Sequence, residues 1–344
     1  MLRMCKRLLM APLLRGRLWL YKAKPDDFEL EFDRPYSSRW NLRNTKSCLV
    51  ILILFLATLL IVVQTLYFWN RHVYDRKFDS QLHKYIVSSP AAKALPRKGQ
   101  LFCWVQTSPI YHDSRVIAIN ETWLHRCDHG QLFTSAALHD DKIPYSTVFA
   151  GIPDSYYNLF YKSRFAFHYI YRNISSEFDW YYKADDDTYV IVEHLRAYLS
   201  KLNPDEPHYL GYVLKPYLKN GYNAGGSGYV LSNAALKLFD SLLYNNETLC
   251  PDNIYEDVGI GTCLASIGIF PEDTRNAKGQ NRFNTHSPSE IFHQSTNVSW
   301  KFYPEKPGFE AFAPEMISFH HLSPDEIRLF DLLLYRINRG GLQL

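Results

Sequence analysis

From Leu49 to Trp69 the chain reads LVILILFLATLLIVVQTLYFW, 21 residues without a charged side chain. As a helix such a run rises roughly 31 Å, close to the hydrocarbon thickness of a bilayer. Tyr67, Phe68 and Trp69 end it with the aromatic border that favours a membrane–water interface. The pattern predicts a single transmembrane helix over 49–69. It lies too deep in the chain, with no small-residue cleavage site after it, for a cleaved signal peptide.

Beyond the span the pattern changes to short apolar runs alternating with helical spacing. LFCWVQT (101–107), QLFTSA (131–136), STVFAG (146–151), WYYKA (180–184), HYLGYVL (208–214) and SGYVLS (227–232) read as strands. Helical spacing is expected over 114–126, 155–172, Val190–Leu202, Ala234–Leu243 and Val258–Ile267. A last helix should begin at Ser323-Pro324-Asp325-Glu326, where a cap residue precedes proline in the first turn and acids near the positive helix end. Alternating β and α units predict an α/β domain with a mostly parallel sheet, and such sheets bind ligands at the carboxyl ends of their strands. Pro90, Pro96 and Gly99 punctuate a polar stretch before the first strand. The expected organisation is a cytosolic tail (1–48), an anchor (49–69), a luminal stem (70–99) and a catalytic domain (100–344).

Charge refines this picture. Residues 1–48 carry eleven Lys/Arg and five Asp/Glu, a balance of +6, so the net +3 of the chain leaves −3 for the rest. A near-neutral main domain argues against a nucleic-acid partner, and the basic tail suits anionic lipid. Residues 1–25 hold no acid, as a mitochondrial presequence would, but the long span after them favours the membrane reading. The sequons at Asn120, Asn173, Asn246 and Asn297 all follow the span, which predicts that this side is luminal. Cys103, Cys127, Cys250 and Cys263 also follow it; three pairings are open, and closeness in sequence favours Cys103–Cys127 with Cys250–Cys263. No Cys/His spacing suggests zinc.

Asp185-Asp186-Asp187 ends the WYYKA strand. Three adjacent carboxylates repel one another unless solvent or a cation neutralises them, and hard oxygen ligands suit Mn²⁺ or Mg²⁺ bridging a diphosphate. Lys183 either supports that site or pairs with a neighbouring acid. Gly225-Gly226-Ser227-Gly228 permits a tight turn or a close backbone approach to a ligand. Glu256-Asp257 opens a helix, where carboxylates also simply complement the dipole.

The segment DWYYKADDDTYVIVEHLRAYLSK resembles the metal-binding segment of fringe-like β1,3-glycosyltransferases. GYVLKPYLKNGYNAGGSGYVLSNAALKLF resembles, more narrowly, the core 1 β1,3-galactosyltransferases, which act on O-linked GalNAc. The likeness spans roughly 101–338. It implies a GT-A type nucleotide-sugar-binding fold, Mn²⁺, a UDP-sugar donor with UDP-galactose favoured, and a glycoprotein acceptor bearing O-GalNAc. It also implies a single-pass type II protein of the Golgi membrane, and a homodimer is compatible with it. By position, Asp187 and His320 would be metal ligands, with Asp185 holding metal or ribose. Thr107, Ser108 and Arg115, with Lys183 and Asp186, would lie at the donor. Gly225 and Gly226 would line the cleft, and Asp257 in EDVGIG would be the catalytic base of an inverting transfer. Two features depart from the core 1 pattern. GFEAFAPEMISFHH lacks the adjacent cysteine pair expected before the metal histidine, and the aromatic acceptor loop is only partly echoed by Trp300, Phe302 and Tyr303. These departures leave two alternatives, a β1,3-transferase with another UDP-sugar and a catalytically silent paralogue that binds an active enzyme.

Overall fold

The computed structural model of the protein describes residues 49–67, 86–294 and 298–337. Two compact units divide at Trp69. In the first, helix α1 (Leu49–Tyr67) has a mean hydropathy of 2.9 and is wholly exposed. At 19 residues it is roughly 28 Å long, which fits one crossing of a bilayer. The aromatic border at Phe68 and Trp69 and most of the expected stem lie outside the described residues.

The second unit is built on a six-stranded sheet. Its strands are β1 (Lys98–Gln106), β2 (His129–Phe133), β3 (Tyr145–Ser146), β4 (Glu177–Asp185), β6 (Tyr209–Leu210) and β9 (Tyr229–Ser232), in the order β3-β2-β1-β4-β9-β6. The β3, β2, β1 and β4 strands are parallel neighbours, and β9 runs against both β4 and β6. Two small antiparallel ladders complete the strands: β5 (Tyr189–Val190) with β10 (Ser318–Phe319), and β7 (Val213–Leu214) with β8 (Tyr222–Asn223).

Side chains alternating along β1 fill two cores. Leu101, Cys103 and Val105 pack with α2 (Ile117–Glu121), α4 (Val192–Leu199) and α7 (Pro324–Asp331). Phe102 and Trp104 face the other way, against α3 (Leu159–Tyr169), α5 (Asn233–Leu238) and α6 (Glu256–Ser266). Much of the high aromatic content lies here, with Trp104, Trp123, Trp180, Tyr181 and Tyr182 all buried. Each such ring removed from water contributes on the order of 1.5–3 kcal/mol. Disulfides tie Cys103 to Cys127 and Cys250 to Cys263.

Several elements are shorter than their periodicity suggests. The 114–126 segment is helical through Glu121, a π-helical turn over His112–Val116 running straight into α2, and again as a 3-10 turn at Leu124–Arg126; the backbone leaves the helical region between them at Thr122, whose hydroxyl donates to the Ala118 carbonyl at 2.6 Å. STVFAG forms a ladder only at Tyr145–Ser146; Thr147–Ala150 then closes a turn whose apolar residues are buried as a strand's would be. HYLGYVL splits into β6 and β7, which belong to different sheets. The final helix starts as expected: Ser323 and Glu326 form a complete capping box with Pro324 in the first turn.

Candidate active site

Strand register assembles the site. Gln106 pairs with Asp185 across β1 and β4, so Thr107 leaves its strand beside the acidic triplet. Lys183 pairs with Tyr229 across β4 and β9, which brings the Gly225–Gly228 turn to the same edge. Phe319 pairs with Tyr189 across β10 and β5, and Leu322 N–H donates to the Asp187 carbonyl at 3.1 Å. These bonds deliver His320 to the acids from a distant part of the chain.

The three aspartates do three different things. Asp186 is buried, accepting from Thr107 Oγ1 at 2.6 Å and from Arg115 at 2.8 Å. Burial pushes its carboxyl up to about 6, against the pull of both partners. Asp187 meets His320 Nε2 at 3.0 Å and Arg115 at 3.1 Å. Burial would raise Asp187, but the hydrogen bond and charge of His320, with Arg115, outweigh it and hold the carboxyl low. Asp185 has one oxygen on Lys183 and the other 4.0 Å from His320 Nε2.

Asp185, Asp187 and His320 each offer one ligand atom, and these atoms lie within 4.8 Å of one another. The donor set fits a divalent cation of intermediate hardness, two carboxylate oxygens and an imidazole nitrogen. The imidazole is also oriented from behind: its Nδ1–H donates to the Thr285 carbonyl at 3.3 Å, leaving Nε2 directed at the carboxylates. Gly226 makes room for this ring, since a β-carbon there would come within 1.9 Å of His320 Cε1.

Lys183 does not face an open cleft. Its side chain is 2% exposed, and its ammonium pairs with Asp185, donates to the Gly225 carbonyl at 3.2 Å and lies 3.9 Å from Glu256. It therefore takes the ion-pair alternative. Ser108 begins the turn Pro109–Tyr111, and its side chain makes no cap hydrogen bond. Arg115 also lies over the Tyr111 ring at 4.1 Å.

Asp257 sits in the first turn of α6. Its Oδ1 accepts from Val258 N–H at 2.8 Å, and the Gly225 backbone also hydrogen-bonds to it. Burial, then the adjacent negative charge of Glu256, raises its carboxyl to about 6. Gly225 thus links Lys183 to Asp257, while Gly226 lies against His320. One backbone turn separates an acid–imidazole cluster from a carboxylate suited to proton abstraction near neutral pH.

Sequence reasoning left out four participants. Thr285 orients His320, Thr188 Oγ1 donates to the Gly226 carbonyl at 2.6 Å, Tyr229 holds Glu256 at 2.7 Å, and Tyr156 lies in the field of Asp257 and Asp185. Thr188 and Tyr229 lie within the two segments that carry the family likeness, Thr188 directly after the acidic triplet, whereas Tyr156 and Thr285 lie outside both. Of the sequons, Asn173 is exposed and Asn120 and Asn246 are half-buried, while Asn297 lies outside the described residues.

Residues 97–303 match the family model described as Fringe-like. Glycoprotein-N-acetylgalactosamine 3-beta-galactosyltransferase 1 of Xenopus laevis is 31% identical over 260 residues, 73% of this chain and 71% of that protein. Beta-1,3-glucosyltransferase of Mus musculus is 26% identical over 240 residues, 68% of this chain and 43% of that protein. The solved structure of a glycosyltransferase involved in the glycosylation of the major capsid of PBCV-1 aligns with a TM-score of 0.36 at 12% identity, covering 69% of this chain and 100% of that one. The chain belongs to the Fringe-like family and is a glycosyltransferase.

Proposed function

We propose that the protein transfers galactose from UDP-galactose to the 3-hydroxyl of O-linked GalNAc on glycoproteins, with inversion at the anomeric carbon and with Mn²⁺ as cofactor. The observation that carries this reading is the convergence of Asp185, Asp187 and His320 on one side of the Gly225-Gly226 turn and Asp257 on the other. The 31% identity to a 3-beta-galactosyltransferase supports the sugar and the linkage.

In this reading Asp185, Asp187 and His320 would hold the Mn²⁺, which would supply electrostatic stabilisation to the departing diphosphate. Thr107, Ser108 and Arg115 line the nucleotide side. Asp186 stays bound to Thr107 and Arg115 and keeps both in place. Lys183 fixes Asp185 and the Gly225 carbonyl rather than touching the donor. Asp257 takes the proton of the acceptor hydroxyl as that oxygen forms its bond to the anomeric carbon. The bond from that carbon to the β-phosphate oxygen breaks with its electron pair, releasing UDP. A single displacement needs one base and no carboxylate nucleophile. Residues 49–69 would anchor the chain with 70–344 in the Golgi lumen, where the two disulfides and the sequons are at home.

The test is a donor panel. Full-length protein in detergent is given Mn²⁺, a GalNAc-bearing peptide and, in turn, UDP-galactose, UDP-GlcNAc or UDP-glucose. A β1,3-linked galactose read by NMR is the expected product. Transfer of a different sugar would replace the donor, and no transfer by folded protein from any of the three would sink the reading.

A further inference from the structure

Glu256 precedes the base and touches neither partner of the reaction. It is nevertheless buried, at 7% exposure. A carboxylate that served only to complement the dipole of α6 would reach solvent at no cost, as first-turn acids ordinarily do. Here it is drawn inward and held. Oε1 accepts from the buried Tyr229 hydroxyl at 2.7 Å, and Oε2 lies 3.9 Å from Lys183 Nζ. A β-carbon on Gly225 would come within 2.4 Å of Oε2, so the glycine is what admits the group. Burying an ion carries a desolvation cost that a structural residue would avoid.

We infer that Glu256 is a positioning residue whose buried negative charge, clamped by Tyr229 and Lys183, strengthens the neighbouring Asp257 as a base. The inference rests on the reading of Asp257 given above. The groups facing Asp257 are few: Glu256 on its own helix, Lys183 from β4, Tyr156 ahead of α3, Tyr209 from β6 and Tyr222 from β8. Among them Glu256 contributes the fixed negative charge and Lys183 the opposing positive one. The ammonium is shared with Asp185 and the Gly225 carbonyl, so Glu256 is only partly neutralised. Removing its charge would leave Asp257 beside Lys183 and the N-terminus of α6, both of which weaken a carboxylate as a base.

The experiment compares Glu256→Gln and Glu256→Asp with wild type, full-length and at saturating Mn²⁺, by kcat/KM against pH. Gln keeps an acceptor for Tyr229 but loses the charge, whereas Asp keeps the charge. The acid limb is expected to move down by about one pH unit in the Gln variant, with kcat at pH 7.5 falling roughly threefold or more, and to stay in place in the Asp variant. UDP binding by calorimetry should be unchanged in both. An unmoved limb in a folded Gln variant would overturn the inference. So would a limb displaced downward by a full unit in the Asp variant, and that variant alone decides the matter if Gln does not fold. An inactive wild type would instead count against the proposed reaction, so the two failures are distinguishable.

Discussion

His320 Nε2 lies 3.0 Å from Asp187 Oδ1, although the two residues flank the paired strands β10 and β5 from the end and the middle of the chain. Paired with a carboxylate, the imidazole is pushed toward its protonated form. A divalent cation would compete with that proton for the same nitrogen and oxygen.

Asp187→Ala should remove metal-dependent turnover, with a loss of roughly 10³-fold or more, because several kcal/mol of leaving-group stabilisation depend on the ion. Mn²⁺ titration by calorimetry should show the affinity lost with it. Chelation of the wild type by EDTA should abolish transfer, and added Mn²⁺ should restore it. Undiminished turnover in EDTA would remove the metal from the mechanism.

Gly226→Ala inserts a methyl group where the His320 ring now sits. The ring must shift, and the expected result is a 10- to 100-fold weaker Mn²⁺ affinity, comparable to the loss of a group that orients a ligand. Thr285 reaches His320 through its carbonyl, while its hydroxyl pairs with His286 at 2.8 Å, so Thr285→Ala should bind metal almost normally. Equal affinities for Gly226→Ala and wild type would show that the ring is not confined from that side.

Activity should rise with pH through about 6 at saturating Mn²⁺, since Asp257 works as the ionised base and burial beside Glu256 raises its carboxyl to that value. In Asp257→Asn transfer should vanish while UDP binding persists. A variant that still turns over would take the role of base away from Asp257.

The same shift has a stability consequence. A carboxyl raised from 3.8 to about 6 binds its proton more tightly folded than unfolded. Stability therefore falls as pH rises from about 4 to about 6 and stays lower above that range. Asp257→Asn escapes this cost, so its thermal midpoint should exceed that of wild type at pH 7.5, by about 1–3 kcal/mol in free energy, and match it near pH 4. An equal gain at both pH values would point to packing rather than charge.

Cys263→Ser opens the loop that carries Glu256 and Asp257, which the link to Cys250 closes across 13 residues. The expected loss is about 3 kcal/mol in chemical denaturation. A decrease in kcat with little change in donor KM should accompany it, because the base is displaced and the nucleotide side is not.

The apolar helix Leu49–Tyr67, the strand ending in Asp185-Asp186-Asp187 and the capping box at Ser323 were legible locally, because an uncharged run, an apolar-to-acidic switch and a spaced Ser–Glu pair are properties of neighbouring residues. The family likeness was legible for the same reason, as ordered motifs. Element ends were not: the helical run breaks at Thr122 before a 3-10 turn resumes at Leu124, and HYLGYVL changes sheets midway.

What the chain alone determined is therefore the long apolar helix, the alternation of β and α, and the residue types able to hold a metal and accept a proton. Tertiary structure decided their division of labour. Three adjacent aspartates look equivalent in sequence, yet successive side chains leave the end of a strand in different directions. Asp185 thus meets Lys183, Asp186 meets Thr107 and Arg115, and Asp187 meets His320. Register between strands far apart in the chain sets those encounters, and it is fixed only when the sheet packs its apolar side chains into a core.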